Sequence, residues 1–200
     1  MIQIKQITSR IGLALAVAGM ASSCRQVQPL PLVESQRVLP GQQPAGPVLY
    51  EWTGAELTGP VSVTIDLSEQ KARISRGGQP AGWTYVASGT SSHPTPVGSF
   101  SIKEKARYKR STSWGVVVDA SGDTVNRNAR NGRSAVPSGG HFVGASMPFW
   151  MRINGAIGMH AGPIPHPGSP ASHGCIRLPR GMAEILFEAT QLGAPVEVVP

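Results

Sequence analysis

Glycine and proline interrupt this chain too often for long helices to form. With 24 glycines and 18 prolines among 200 residues, the sequence favours short strands joined by turns. Apolar residues make up 40% of it, enough to build a core. Val61, Val63, Ile65 and Leu67 alternate with Ser62, Thr64 and Asp66, the period of a half-buried strand. Ser68-Glu69-Gln70-Lys71 reads as a turn, and residues 72–76 as the returning strand before Gly77-Gly78. Residues 83–87 form a third expected strand. A fourth spans 100–108, with Lys103, Lys105 and Arg107 on one face by the same period; such a stripe is ordinarily a solvated face. Helical spacing occurs once, in Met182, Ile185, Leu186, Ala189 and Leu192. Pro179 suits its entry, Gly193 its end, and Pro195 cannot continue it. Residues 196–199 read as a last strand. The fold class expected is mainly β with one or two short helices. No internal repeat is present.

The N-terminus has a different character. Lys5 and Arg10 precede residues 11–21, an uncharged, mostly apolar run too short to span a bilayer, which needs about 20 residues. Ala21-Ser22-Ser23-Cys24 follows and resembles the cleavage site of bacterial lipoproteins, in which the cysteine carries the lipid anchor. Ala21 stands where leucine is usual. The expectation is an exported protein with a signal peptide over 1–23 and a membrane anchor at Cys24; a plain cleaved signal or an uncleaved anchor are the alternatives. Residues 24–48, rich in Gln, Pro and Gly, read as anchor and tether. The folded domain is expected over 49–200, roughly the length that one core needs.

Net charge is +7, and removing the leader leaves the chain basic. A basic exported domain suits an anionic wall or membrane surface. No zinc-finger, helix-turn-helix or RNA-binding motif is present, and nucleic acid is not an expected partner. With Cys24 acylated or removed, Cys175 has no partner for a disulfide within the chain, and is a candidate reactive thiol.

A thiol nucleophile attacks as the thiolate, and a free cysteine with pKa near ~8.5 is little ionised at neutral pH. It needs a base, a group that fixes the base's tautomer, and N–H donors for the developing oxyanion. His173 lies two residues before Cys175, where extended-chain geometry separates the side chains by about 7 Å. His160 follows the apolar-glycine stretch Ile157-Gly158-Met159, and the Pro/Gly-rich loop 161–172 can carry it back to the cysteine. His160 is therefore expected as the base and His173 as an auxiliary. Gly174 lets a carbonyl approach the backbone, and the amides of Gly174 and Cys175 are the expected oxyanion donors.

His160-Ala161-Gly162 followed by Pro170-Ala171-Ser172-His173-Gly174-Cys175-Ile176-Arg177-Leu178-Pro179 resembles the signature of the L,D-transpeptidase catalytic domain family. Ile65-Asp66-Leu67-Ser68-Glu69-Gln70, Thr95-Pro96-Val97-Gly98-Ser99-Phe100 and Met147-Pro148-Phe149-Trp150-Met151-Arg152 resemble further family segments. The resemblance implies a β-sandwich and no cofactor or metal. It also implies a thioester made on the cysteine from a peptidoglycan stem tetrapeptide, then passed to an amine of a neighbouring stem or a wall-attached protein. By position Cys175 matches the nucleophile, His160 the base, and the Ala161 carbonyl the group that orients it. Ser172 and Arg177 match the surrounding motif as substrate-binding residues, Arg177 as a fork for a carboxylate. Ala161 replaces a more usual glycine, and members can carry lysine at the place of His173. Residues 118–144 match nothing recognisable in the family and read as a surface loop, with a lid or substrate loop as the alternative.

Rival readings are weaker. His160, His166, His173 and Cys175 are possible zinc ligands, but their spacing fits no closed zinc pattern, which leaves His166 a bystander. Papain-like enzymes place the histidine after the cysteine, and none follows Cys175. A non-catalytic wall-binding module would not need Cys175. Hydrolysis to a tripeptide, as by an L,D-carboxypeptidase, uses the same site as transfer.

Overall fold

The computed structural model describes residues 46–200; the expected signal peptide, the Cys24 anchor and most of the tether lie outside the described residues. In chain order the strands are β1 (Tyr50–Trp52), β2 (Val61–Asp66), β3 (Lys71–Arg76), β4 (Gln79–Tyr85), β5 (Gly98–Ser101), β6 (Glu104–Ala106) and β7 (Arg110–Val118). They continue with β8 (Thr124–Arg130), β9 (His141–Ser146), β10 (Trp150–Asn154), β11 (Ile157–Ala161) and β12 (Ile176–Leu178). The helix α1 (Arg180–Ala189) and the strand β13 (Pro195–Val199) complete the domain.

A six-stranded sheet, β1-β4-β3-β2-β13-β5, faces a four-stranded sheet, β12-β11-β10-β6. The period-two pattern explains the packing. Val61, Val63 and Ile65 of β2, with Ala72 and Ile74 of β3, point inward to meet Met151, Ile153, Met159, Ile176 and Leu178 of the second sheet. The helix adds Met182, Ala183 and Leu186 to the same core. Each fully buried large apolar side chain contributes about 1.5–3 kcal/mol by removal from water. The fold is the mainly β sandwich expected, with one helix.

Several boundaries differ from the sequence reading. The expected third strand begins earlier and ends at Tyr85, because Ala87 leaves the sheet to pair with Arg177. The expected strand 100–108 is two strands in different sheets: Ile102 N–H donates to the Ala194 carbonyl, whereas Lys103 N–H donates to Arg152. Lys103 and Arg107 of its basic stripe are exposed, as expected of a solvated face, but two of the three cations also reach the helix. Lys105 Nζ donates to the Thr190 carbonyl at 2.7 Å and lies 4.7 Å from the Phe187 ring, and Arg107 pairs with Glu188, so both clamp α1. The helix stops at Ala189, not Leu192. Thr190 is extended, its hydroxyl donates to the Leu186 carbonyl at 2.6 Å, and Leu192 is 65% exposed.

The largest correction concerns residues 118–144. They are not a loop: β7, β8 and β9 form a three-stranded antiparallel sheet in the order β8-β7-β9. Its strands give little sign of themselves in sequence because β8 buries only Ala129 and β9 buries nothing, so no apolar alternation arises.

Candidate active site

Parallel pairing of β11 with β12 sets His160 opposite Arg177 and Met159 opposite Ile176. Side chains at paired positions share a face of the sheet, and residues two apart on one strand share it too. Cys175, just before β12, therefore comes to the face that carries His160 and Arg177. All three line one cavity of about 280 Å3, with Trp114, Met147 and His173.

His160 is 6% exposed, and its Nδ1 lies 2.9 Å from the Ala161 carbonyl. A carbonyl oxygen only accepts, so Nδ1 carries the proton and Nε2 is left as the basic nitrogen. Burial holds the His160 pKa below the ordinary histidine value; the Ala161 bond opposes this and the Arg177 charge adds to it. Burial pushes the Cys175 thiol up, against the Gly158 N–H and Arg177, which both favour the thiolate. Both net shifts disfavour a standing thiolate–imidazolium pair. The Cys175 Sγ lies 3.8 Å from the Ala156 carbonyl.

The turn before Cys175 is pinned from several sides. Gly174 has φ +110, a conformation that side chains avoid. Its carbonyl accepts a 2.8 Å bond from Thr95 Oγ1, which in turn accepts from Gly89 N–H at 2.9 Å. A Cβ on Gly89 would lie 2.8 Å from the Gly174 Cα and 2.1 Å from the His93 carbonyl, so only glycine fits there. Behind Gly89, Ser88 is held by Gln70. Gln70 Oε1 accepts from Ser88 N–H at 2.8 Å and its Nε2 donates to Ser88 Oγ at 2.7 Å.

Two sequence expectations change here. Ser172 is 3% exposed, and its hydroxyl donates to the Cys175 carbonyl and accepts from Gly174 N–H at 3.1 Å. It is engaged in shaping the turn rather than free to bind substrate. For the same reason the Gly174 amide is already committed, which leaves the Cys175 amide for an oxyanion. His173 lines the same cavity as Cys175, and its ring stacks on Trp114 at 3.8 Å and 11°, with His93 edge-on to both. Burial, then His93 and Arg177, depress its pKa. His166 lies exposed in the loop, away from the buried His160.

The family model described as the L,D-transpeptidase catalytic domain matches residues 60–198. The chain belongs to that family. Among solved structures it shares the fold of an L,D-transpeptidase from Mycobacterium smegmatis (21% identity, TM-score 0.53, 70% of this chain and 59% of that one). A second likeness is to an L,D-transpeptidase from Stackebrandtia nassauensis (20%, 0.51, 70% and 56%). LD transpeptidase LdtMt1, solved in complex with imipenem, is 27% identical with a TM-score of 0.50 over 70% of this chain and 58% of that one. The chain thus spans less than two thirds of these structures. No curated protein matches it.

Within this L,D-transpeptidase domain, sequence reasoning passed over three residues that hold the site. Thr95 and Gln70 fell inside segments recognised as family-like, but their separate roles depend on contacts with residues 79 and 18 positions away. Trp114 gave little signal, since it follows the polar half of its strand. Its lone aromatic ring among Ser111, Thr112 and Ser113 was the only available hint.

Proposed function

We propose that the protein is a peptidoglycan L,D-transpeptidase working through Cys175 and His160. The observation that carries this reading is the placement of Cys175, Arg177 and a His160 fixed as its Nδ1 tautomer in one cavity. As Cys175 Sγ attacks the carbonyl of a stem tetrapeptide's third residue, its proton passes to His160 Nε2 and the oxyanion turns to the Cys175 amide. Collapse breaks the C–N bond, and the departing amine takes the proton from His160. The acceptor amine then attacks the thioester, loses a proton to His160, and the C–S bond breaks to restore the thiol. Arg177 offers a bidentate fork for a carboxylate of the bound peptide.

The Ala161 carbonyl orients His160, and Ser172 and His173 position the turn rather than exchange protons. The chain is exported and held at the cell envelope through a lipid on Cys24; the mass of the mature N-terminus tests that part. Imipenem, bound in LdtMt1, is expected to acylate Cys175.

The deciding experiment incubates the full-length protein with purified tetrapeptide-bearing wall fragments and follows products by mass spectrometry. Cross-linked dimers and an acyl adduct on Cys175 are expected, both absent in Cys175→Ser. Tripeptide alone would assign hydrolysis instead, and unaltered substrate with active-site-titrated wild type would overturn the proposal.

A further inference from the structure

The outer face of the six-stranded sheet has no packing partner among the described residues, yet it is not an ordinary solvated surface. Strand register aligns one outward row across all six strands: Glu51, Trp83, Arg73, Thr64, Glu197 and Ser99. At strand spacing this row runs roughly 24 Å. A second row sets Tyr85 beside Lys71 and Asp66. Trp83 and Tyr85 meet edge to face at 5.6 Å, and Lys71 Nζ sits 5.5 and 5.0 Å from their rings. The Trp83 indole is fixed by a 3.1 Å bond to Glu51 Oε2. Beside it a groove of about 560 Å3 is lined by Trp83, Gly82, Pro80, Thr53 and Arg73.

We propose that this face is a second binding site, centred on Trp83, for the uncharged sugar backbone of cell-wall polysaccharide. A sugar ring presents an apolar C–H face that stacks on an aromatic plane and a rim of hydroxyls that both donate and accept. Trp83 supplies the plane, and Thr64, Glu197 and the positions left open on Arg73, paired with Glu69 at 2.7 Å, and on Glu51 supply donors and acceptors in a row at fixed spacing. Charge decides the class of ligand. The whole chain is +7, but this face sets the carboxylates of Glu51, Asp66, Glu69 and Glu197 against the cations of Lys71 and Arg73. A polyanion would be repelled by it, and a hydroxyl-rich neutral chain would not. The site also connects to the chemistry: two residues beyond Tyr85, Ala87 exchanges backbone bonds of 3.1 and 3.0 Å with Arg177. The choice of a wall glycan rests on the transpeptidase reading, but the glycan and the reacting peptide use different surfaces and are tested separately.

The test titrates the full-length protein with soluble, uncharged N-acetylglucosamine oligomers as the probe, followed by tryptophan fluorescence and calorimetry. Saturable binding is expected, nearly unchanged between about 50 and 500 mM salt because little of it is ionic. Trp83→Ala is expected to weaken it roughly tenfold and Arg73→Ala about threefold. Cys175→Ala should bind as wild type, and turnover of soluble tetrapeptide fragments should stay within about twofold of wild type in both surface variants. Should Trp83→Ala fail to fold, Arg73→Ala decides. Absence of binding by wild type, equal binding by the surface variants, loss on raising salt, or loss in Cys175→Ala would each overturn the proposal. None of these results bears on whether Cys175 forms a thioester, which the turnover assay reads separately.

Discussion

Strands β2 and β8 are of similar length and belong to one domain, but they are made in opposite ways. In β2 every second residue, Val61, Val63 and Ile65, is nearly inaccessible. In β8 six of the seven residues keep contact with solvent and only Ala129 is buried. The first strand is held by the core. The second is held mainly by its ladder to β7, and β7 in turn touches the catalytic turn through one ring, Trp114 on His173. The domain thus combines a rigid sandwich that sets the nucleophile with a lightly packed sheet that borders it, and damage to the two should be read out differently.

The sharpest separation should come from a pair of substitutions. Leu186→Ala, at 0% exposure in the helix, is expected to cost about 2–5 kcal/mol of unfolding free energy in a denaturant titration. Trp114→Ala should cost far less stability but reduce kcat/KM for acyl transfer by roughly tenfold or more, since a misplaced reacting group loses that much or more. If Trp114→Ala instead unfolds the protein and leaves the residual folded fraction fully active, the contrast between the two regions is wrong.

A pH series sharpens the site half of the comparison. In the proposed mechanism neutral His160 is the base, and its pKa is depressed, so the acid limb of kcat/KM should fall below the ordinary histidine value of 6.5. Thiol alkylation of the resting enzyme should rise only above the ordinary thiol range, because Cys175 is shifted upward. Linkage gives the matching stability effect. Below pH 6.5 the unfolded chain binds the proton that folded His160 refuses, so the stability present above 6.5 is lost as pH falls towards the folded pKa. The smallest effect belongs to the outer surface of the polar sheet: Val125→Ala, 55% exposed, should change stability by less than about 0.5 kcal/mol.

Legibility in the sequence followed the same division. The alternation of β2, the helix and the spacing of His160 and Cys175 were readable because burial and chemistry restrict residue type there. Strands β8 and β9 were read as a loop because strands that bury almost nothing place no demand on apolar pattern. Ser172 was read as a substrate contact because a motif gives residue identity but not direction; only the fold turns its hydroxyl toward the Cys175 carbonyl. The helix end was misjudged by three residues because Thr190 bonds back to Leu186 and stops the helix before Leu192.

The position of β13 ties distant parts of the chain together. Residues 195–199 follow both His160 and Cys175 in sequence, yet they lie between β2 and β5, parallel to one and antiparallel to the other. Without them β5 has no neighbour in the sheet and β2 becomes an edge strand.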